Sequence, residues 1–191
     1  MSAALQALAA EAPYRIHRYP SVLIDRVTLA DSRVVTVRPV LPQDSDAEQS
    51  FVTGLSPQSR RLRFHGAVNT LPASVLQAMT AIDYQQHVAL IAESIDDQGR
   101  TRLVADARYV VNDAGGAEFA VAVADDWQHI GLGSAMLKRL GRHARRQGLH
   151  QMQGAVMAGN EAMLALMRRW GAALRADPED ADVVIAILRC G

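Results

Sequence analysis

The spacing of hydrophobic and polar residues changes several times along the 191-residue chain, and each change marks an element. From Val22 to Val40 the pattern alternates and is rich in Val, Ile and Thr, with a break at Ala30-Asp31-Ser32. This predicts a hairpin that ends at Arg38-Pro39. Helical spacing follows. Asp44 or Ser45 is placed to cap a helix toward Leu55, with Gly54 and Pro57 at its end. Ser56 or Ser59 starts a second helical piece through Arg60, Arg61 and Phe64, and Pro72 to Ile82 reads as a third. Alternation returns in His87 to Ile95, Thr101 to Val111 and Ala117 to Ala124. The turns between them, Asp96 to Gly99 and Asn112 to Gly116, have the residues an antiparallel meander requires. Beyond Asp125-Asp126-Trp127 a glycine-punctuated loop leads into a helix from about Gly131 to Gln147, stopped by Gly148. A strand from Leu149 to Met157, a helix from Asn160 to Trp170 and closing strands Ala172 to Arg175 and Asp182 to Leu188 complete the order. An α/β (α+β) chain with a mixed sheet and helices packed on it is expected.

Length gives one domain with a core large enough to need no metal or disulfide staple. Twenty basic and twenty acidic residues leave a formal net charge of zero. That argues against a partner held by bulk charge, nucleic acid or anionic lipid. The one cysteine, Cys190, has no intrachain partner, which fits a reducing compartment. No apolar run approaches the ~20 residues of a membrane helix. Residues 1–12 lack a basic n-region and carry Gln6 and Glu11, so they read as a short amphipathic helix or a frayed end rather than a targeting segment. A cytoplasmic location is expected. One detail is sharper than the totals: Lys138 is the only lysine.

The most informative segment is Gln128-His129-Ile130-Gly131-Leu132-Gly133-Ser134, between a predicted strand and a helix. Closely spaced glycines there let backbone N–H groups approach an anion, and the helix dipole favours negative charge. Two familiar cradles are excluded. No G-x-x-x-x-G-K-[ST] is present, and a dinucleotide fingerprint needs a third glycine where Met136 stands. In the helix that follows, Leu132, Met136, Leu140 and Ala144 form the buried stripe. Lys138 and Arg139, nearest the loop, are the better candidates for a ligand phosphate, whereas Arg142 to Arg146 read as a solvated face. A DNA-recognition helix lacks its helix-turn-helix partner.

Q-x-x-G-x-G at Gln128 to Gly133, after a strand and opening a helix, resembles the acetyl-CoA pyrophosphate loop of the GNAT acyltransferases. Asn160 sits where that family often places an Asn side chain on pantetheine. The resemblance covers about residues 36 to 189. Within the family, Leu55-Ser56-Pro57-Gln58-Ser59-Arg60 with Leu62-Arg63-Phe64, Ile82-Asp83-Tyr84 and Ala117-Glu118-Phe119-Ala120-Val121 are similar to the GNAT domain of protein lysine acetyltransferases linked to acyl-CoA-synthetase-like modules, here expected without the synthetase module. The resemblance implies a GNAT fold, mostly antiparallel, whose sheet splays into a V at the acetyl-CoA site. It also implies a division into an N-terminal extension over 1–35 (short helix plus hairpin strand) and a GNAT domain over 36–191.

Acyl transfer from a thioester to an amine must deprotonate an ammonium of pKa near 10.4 for Lys, stabilise an oxyanion, release a thiolate and hold two substrates together. In the strand Glu118 to Ala124, Glu118, Ala120 and Ala122 share one face, leaving room beside a lone carboxylate for a substrate chain or a close helix. Glu118 resembles the general base of the protein-acetylating subgroup, acting through water; the alternative is a strand-end carboxylate paired with Arg108. The resemblance also implies that backbone groups near Val121 and Val123 pair with pantetheine, and that the amides of Gln128, His129, Ile130, Gly131, Leu132, Gly133 and Ser134 hold the pyrophosphate. Asp125 and Asp126 read as turn residues facing away. Many family members carry a Tyr seven residues after the Asn, as acid for the thiolate. Here that residue is Met167, on an apolar stripe, and Tyr84 and Tyr109 are the possible substitutes.

No H-E-x-x-H, C-x-x-C or close histidine pair supports a metal site, and Cys190 reads as a buried, inert thiol. The expected function is transfer of an acetyl group from acetyl-CoA, as co-substrate, to a primary amine by direct attack in a ternary complex. The acceptor is a protein lysine or a small amine. Arg60, Arg61, Arg63 and His65 fall in the segment that lines the acceptor side of such folds. The alternative is an acyl-CoA-binding regulatory module with little or no turnover. Homo-oligomerisation stays open.

Overall fold

In a computed structural model the structure describes residues 18–113 and 115–190. The helix expected near residues 1–12, and Ala114 in the turn Asn112 to Gly116, lie outside them. Eight strands form one sheet in the order β1-β2-β3-β4-β5-β6-β8-β7. They are β1 (Asp25–Thr28), β2 (Val34–Pro39), β3 (His87–Ile95), β4 (Thr101–Val111), β5 (Ala117–Val123), β6 (Gln151–Met157), β7 (Ala173–Ala176) and β8 (Val183–Arg189). The helices are α1 (Ser45–Gly54), α2 (Pro57–Phe64), α3 (Ala73–Thr80), α4 (Leu132–Arg146) and α5 (Glu161–Arg169). Every neighbouring pair is antiparallel except β5 and β6, which run parallel. The GNAT fold expected from the sequence is present. β1 and β2 are the first two strands of this sheet, so the hairpin continues the same layer as the rest of the chain.

The sheet is covered on both faces, which explains why β3 is buried from His87 to Ala92 instead of alternating. On β4, Asp106 and Arg108 face α1 and α3: Arg108 bonds Glu48 of α1 and the Met79 carbonyl of α3. Tyr109 faces the other way and meets His143 of α4 at 2.8 Å. Strict alternation along one strand thus assigns the two helical layers. The buried stripe of α4 contains Leu132, Met136, Leu140 and Ala144, as its spacing predicts, together with Leu137 and His143.

Local capping follows the sequence. Ser56 accepts from the Ser59 amide at the start of α2, and Pro57 occupies the first helical turn, where its missing N–H costs nothing. Asn160 accepts from the Met163 amide and opens α5.

Candidate active site

The parallel ladder between β5 and β6 holds only at Ala117–Met152 and Glu118–Gln153. Directly beyond it the Phe119 ring lies over Gly154. A Cβ on Gly154 would stand 2.9 Å from Phe119 Cζ and 3.1 Å from the Phe119 carbonyl oxygen, so only glycine fits. The two strands then part, and a cleft of about 1270 Å³ opens between them. Ligand sites run to ~300–1,000 Å³, so this cleft suits a long, extended ligand. Val121, Val123, Gln128, His129, Gly131, Gly133, Ser134 and Asn160 all line it. The role of Gly154 was missed in the sequence, although an isolated glycine inside a strand pattern is the signal for close backbone approach.

The loop before α4 is shaped for an anion. His129 (φ 61°) and Gly131 (φ 91°) are both left-handed, a backbone conformation that lets neighbouring amides share one side of a loop. The first helical bond runs from the Ala135 amide to the Gly131 carbonyl at 2.9 Å. Among the described residues the amides from His129 to Ser134 find no acceptor, as the first turn of a helix dictates. The Gln128 amide differs from expectation: it donates to the Asp125 carbonyl at 3.3 Å. The Gln128 side chain donates to the Val123 carbonyl (3.1 Å) and to Ser59 Oγ (3.3 Å), bracing the strand end. Ile130 and Leu132 turn their side chains into the core and offer only backbone. Of the two cations nearest the loop, Lys138 is exposed on the cleft. Arg139 instead bonds Asp25 and the Ala135 carbonyl, so tertiary packing has removed it from the ligand side.

Opposite the loop, α2 is held by Asp125. Its carboxylate accepts from the Ser56 amide (2.8 Å), Ser56 Oγ (2.8 Å) and Ser59 Oγ (2.7 Å). Burial opposes the charge, yet these bonds outweigh it and hold the carboxyl below its ordinary range. Asp125 therefore lines the cleft and does not face away, whereas Asp126 does, pairing with Arg102.

Glu118 sits at the closed end of the V, half-buried, one residue below the lining of the cleft. Its face is not empty. Across the sheet Ala120 and Ala122 stand opposite Arg108 and Asp106, and the small alanines accommodate a buried charge cluster. Arg108 Nε and Nη2 hold Asp106 at 3.0 and 2.6 Å, and Nη2 reaches Glu48 at 3.1 Å. Arg63 of α2, which lines the cleft, lies 3.8 Å from Asp106 and within the field of Glu118. Arg108 is thus committed to Asp106 and Glu48 and leaves Glu118 without the cross-sheet partner considered for it. Burial, then repulsion from Asp106, pushes Glu48 up to about 8. Burial, then Arg108, holds His87 well below its ordinary value.

Neither tyrosine substitutes for the missing phenol. Tyr84 donates to the Val40 carbonyl at 2.8 Å and Tyr109 is paired with His143; both are buried away from the cleft. Met167 is core. Asn160 uses Oδ1 as the helix cap, and its side-chain nitrogen has no partner among the described residues. Among the described residues no three His, Cys, Asp or Glu side chains converge as metal ligands, and no helix is long and apolar enough to cross a membrane.

A V-shaped gap between parallel strands, with free helix amides at its mouth, defines a class of acyl-transfer fold. The Acetyltransferase (GNAT) family model matches residues 62–172, and the chain belongs to that family, as an N-acyltransferase of the GNAT type. It is 36% identical over 159 residues to Acetyltransferase PA5475 of Pseudomonas aeruginosa, spanning 83% of this chain and 85% of that protein. Acetyltransferase Pat of Mycolicibacterium smegmatis is 30% identical over 138 residues, 71% of this chain but 40% of that protein. The GNAT domain of S. lividans PAT superposes with a TM-score of 0.81 at 26% identity, covering 90% of this chain and 99% of that one.

Proposed function

We propose that the chain moves an acetyl group from acetyl-CoA to a primary amine by direct attack in a ternary complex. The observation that carries this reading is the run of acceptor-free amides from His129 to Ser134, of which His129, Gly131, Gly133 and Ser134 belong to residues that line the cleft. Gly133 supports the fit: a Cβ there would meet only Val123 Cγ2 at 3.5 Å, so the protein itself tolerates a side chain and the bare position serves a ligand. Bound acetyl-CoA supplies the activated acetyl group and a thiol leaving group whose pKa is near that of a cysteine, ~8.5.

The protein's own residues do the rest. The amides of the loop and Lys138 neutralise the pyrophosphate, the Asn160 side-chain nitrogen donates to pantetheine, and β5 backbone between Val121 and Val123 aligns it. A β5 amide placed at the thioester oxygen stabilises developing negative charge. Glu118 takes the amine proton through water, because it lies below the cleft lining and not in it. A protein lysine or a small amine reaches it past α2, in a reducing cytoplasm that suits the single buried thiol. The absence of a phenol among the cleft-lining residues favours a leaving thiolate that departs unprotonated, and it is also what supports the second reading, an acyl-CoA-binding regulatory module with little turnover.

Calorimetry of acetyl-CoA binding, followed by thiol release with a panel of amines and lysine peptides, tests both. Acceptor-dependent release that falls ~10²–10⁴-fold in Glu118→Gln, with binding retained, supports the enzyme and its base. Binding without release from any acceptor supports the regulatory module, and absence of binding removes the loop assignment.

A further inference from the structure

A second, smaller well of about 170 Å³ lies away from the V, where α4 meets the end of β8. Met152, Leu188 and the Cys190 thiol contribute to an apolar floor, Trp170 forms a wall, and Arg142, Arg145 and Arg189 stand at the rim. No acid lines it. Among the described residues, no side-chain hydrogen bond or ion pair engages these three arginines. Arg139, on the same helix, is by contrast tied to Asp25, although the field of Asp25 also reaches Arg142. Lys138 is the only residue this well shares with the cleft of the V.

Two features separate this well from an ordinary solvated basic face. The cations come from elements far apart in sequence, α4 and β8, and they converge over apolar side chains in a chain of zero net charge. Like charges gathered this way repel one another unless a counter-charge is supplied. The well is open to solvent at the arginine rim, and its volume of about 170 Å³ is comparable with the ~150 Å³ that takes one benzene ring. Arginine forks suit carboxylate and phosphate oxygens.

We propose that this well is a second ligand site, for a small anion with an apolar body the size of a benzene ring, an arene carboxylate or arene phosphate. Arg142, Arg145 and Arg189 play no part in the acetyl-transfer reading, so substitutions there separate this site from the cleft.

Cys190, the single cysteine, and Trp170 are natural reporters in the full chain, read with coenzyme A saturating the cleft because the Trp170 indole N–H donates to Ser134 Oγ of the glycine loop at 3.3 Å. Saturating benzoate or phenyl phosphate is expected to slow alkylation of Cys190 by iodoacetamide about five-fold and to shift the Trp170 indole N–H resonance, with half-effects on the order of 1 mM. Benzyl alcohol and inorganic phosphate, each offering half of the recognition, leave both readouts within about two-fold of the unliganded protein. Protection by one anion alone identifies the head group. A double variant, Arg142→Gln with Arg189→Gln, should lose both effects while acetyl-CoA affinity stays within about two-fold. Equal effects from benzyl alcohol, effects that survive in the double variant, or an unmoved Trp170 resonance with both anions would overturn the site. Should Cys190 resist alkylation in every condition, the Trp170 resonance decides alone.

Discussion

At the scale of single residues, three glycines of the cleft do different work. Gly131 needs its positive φ, so Gly131→Ala strains the loop and should cost about 1 kcal/mol or more together with acetyl-CoA affinity. Gly133 is helical and sterically free within the protein. Gly133→Ala should therefore hold or raise stability, by up to ~1 kcal/mol from helix propensity, while its methyl group crowds the anion cradle and weakens acetyl-CoA. Thermal melts beside calorimetry read both changes, and a matched loss in the two quantities for Gly133→Ala would contradict the cradle. Gly154 is demanded by its contact with Phe119 and reports on how the strands part.

At the scale of elements, α2 is an eight-residue helix whose first turn hangs on one carboxylate. Asp125→Ala removes three hydrogen bonds and leaves the Ser56 amide without its acceptor. A cost of ~1–3 kcal/mol is expected. Because α2 lines the cleft across from the glycine loop, the same change should raise KM for the amine acceptor while acetyl-CoA affinity changes little. Steady-state kinetics with each substrate varied in turn checks that split, and an acceptor KM that does not move would detach α2 from acceptor binding.

At the scale of the whole molecule, the Glu48–Arg108–Asp106 cluster joins α1, β4 and, through Arg63, α2. Arg108→Ala leaves buried carboxylates unpaired and should cost ~3–5 kcal/mol. Glu48→Gln keeps the shape and should cost far less than removal of the guanidinium. The sign of the pH dependence follows from linkage. Glu48 rises from 4.5 to about 8 on folding, so its contribution is complete below 4.5 and is lost as pH climbs through 8. His87 shifts the other way, so stability is lost as pH falls below its ordinary 6.5. Urea unfolding across this range should show the decline between pH 6.5 and about 8 flattened in Glu48→Gln, and a loss on acidification below 6.5 uncovered, because there the Glu48 and His87 contributions offset each other in the wild type. A decline between pH 6.5 and 8 identical to wild type would remove Glu48 as its source.

The order of elements was legible in the sequence because period, caps and turn residues are local properties, and so was the glycine loop, whose spacing is itself a local constraint on backbone. That a helix starts at Asn160 and that Met167 is core followed from the same helical periodicity, whereas the capping bond of Asn160 came from the structure. Contacts between residues distant in sequence were not legible. Nothing near Arg139 announces that Asp25 will claim it, nor that Asp125, one position before a surface-paired Asp126, turns inward to hold α2. The face of Glu118 read as open because Ala120 and Ala122 are small. The sheet register fills it with Asp106 and Arg108 from the neighbouring strand. The sequence by itself determined which segments fold into which elements and where a glycine loop opens a helix. Only the tertiary structure decided which charges are left free for a ligand, since pairing depends on which strands and helices become neighbours.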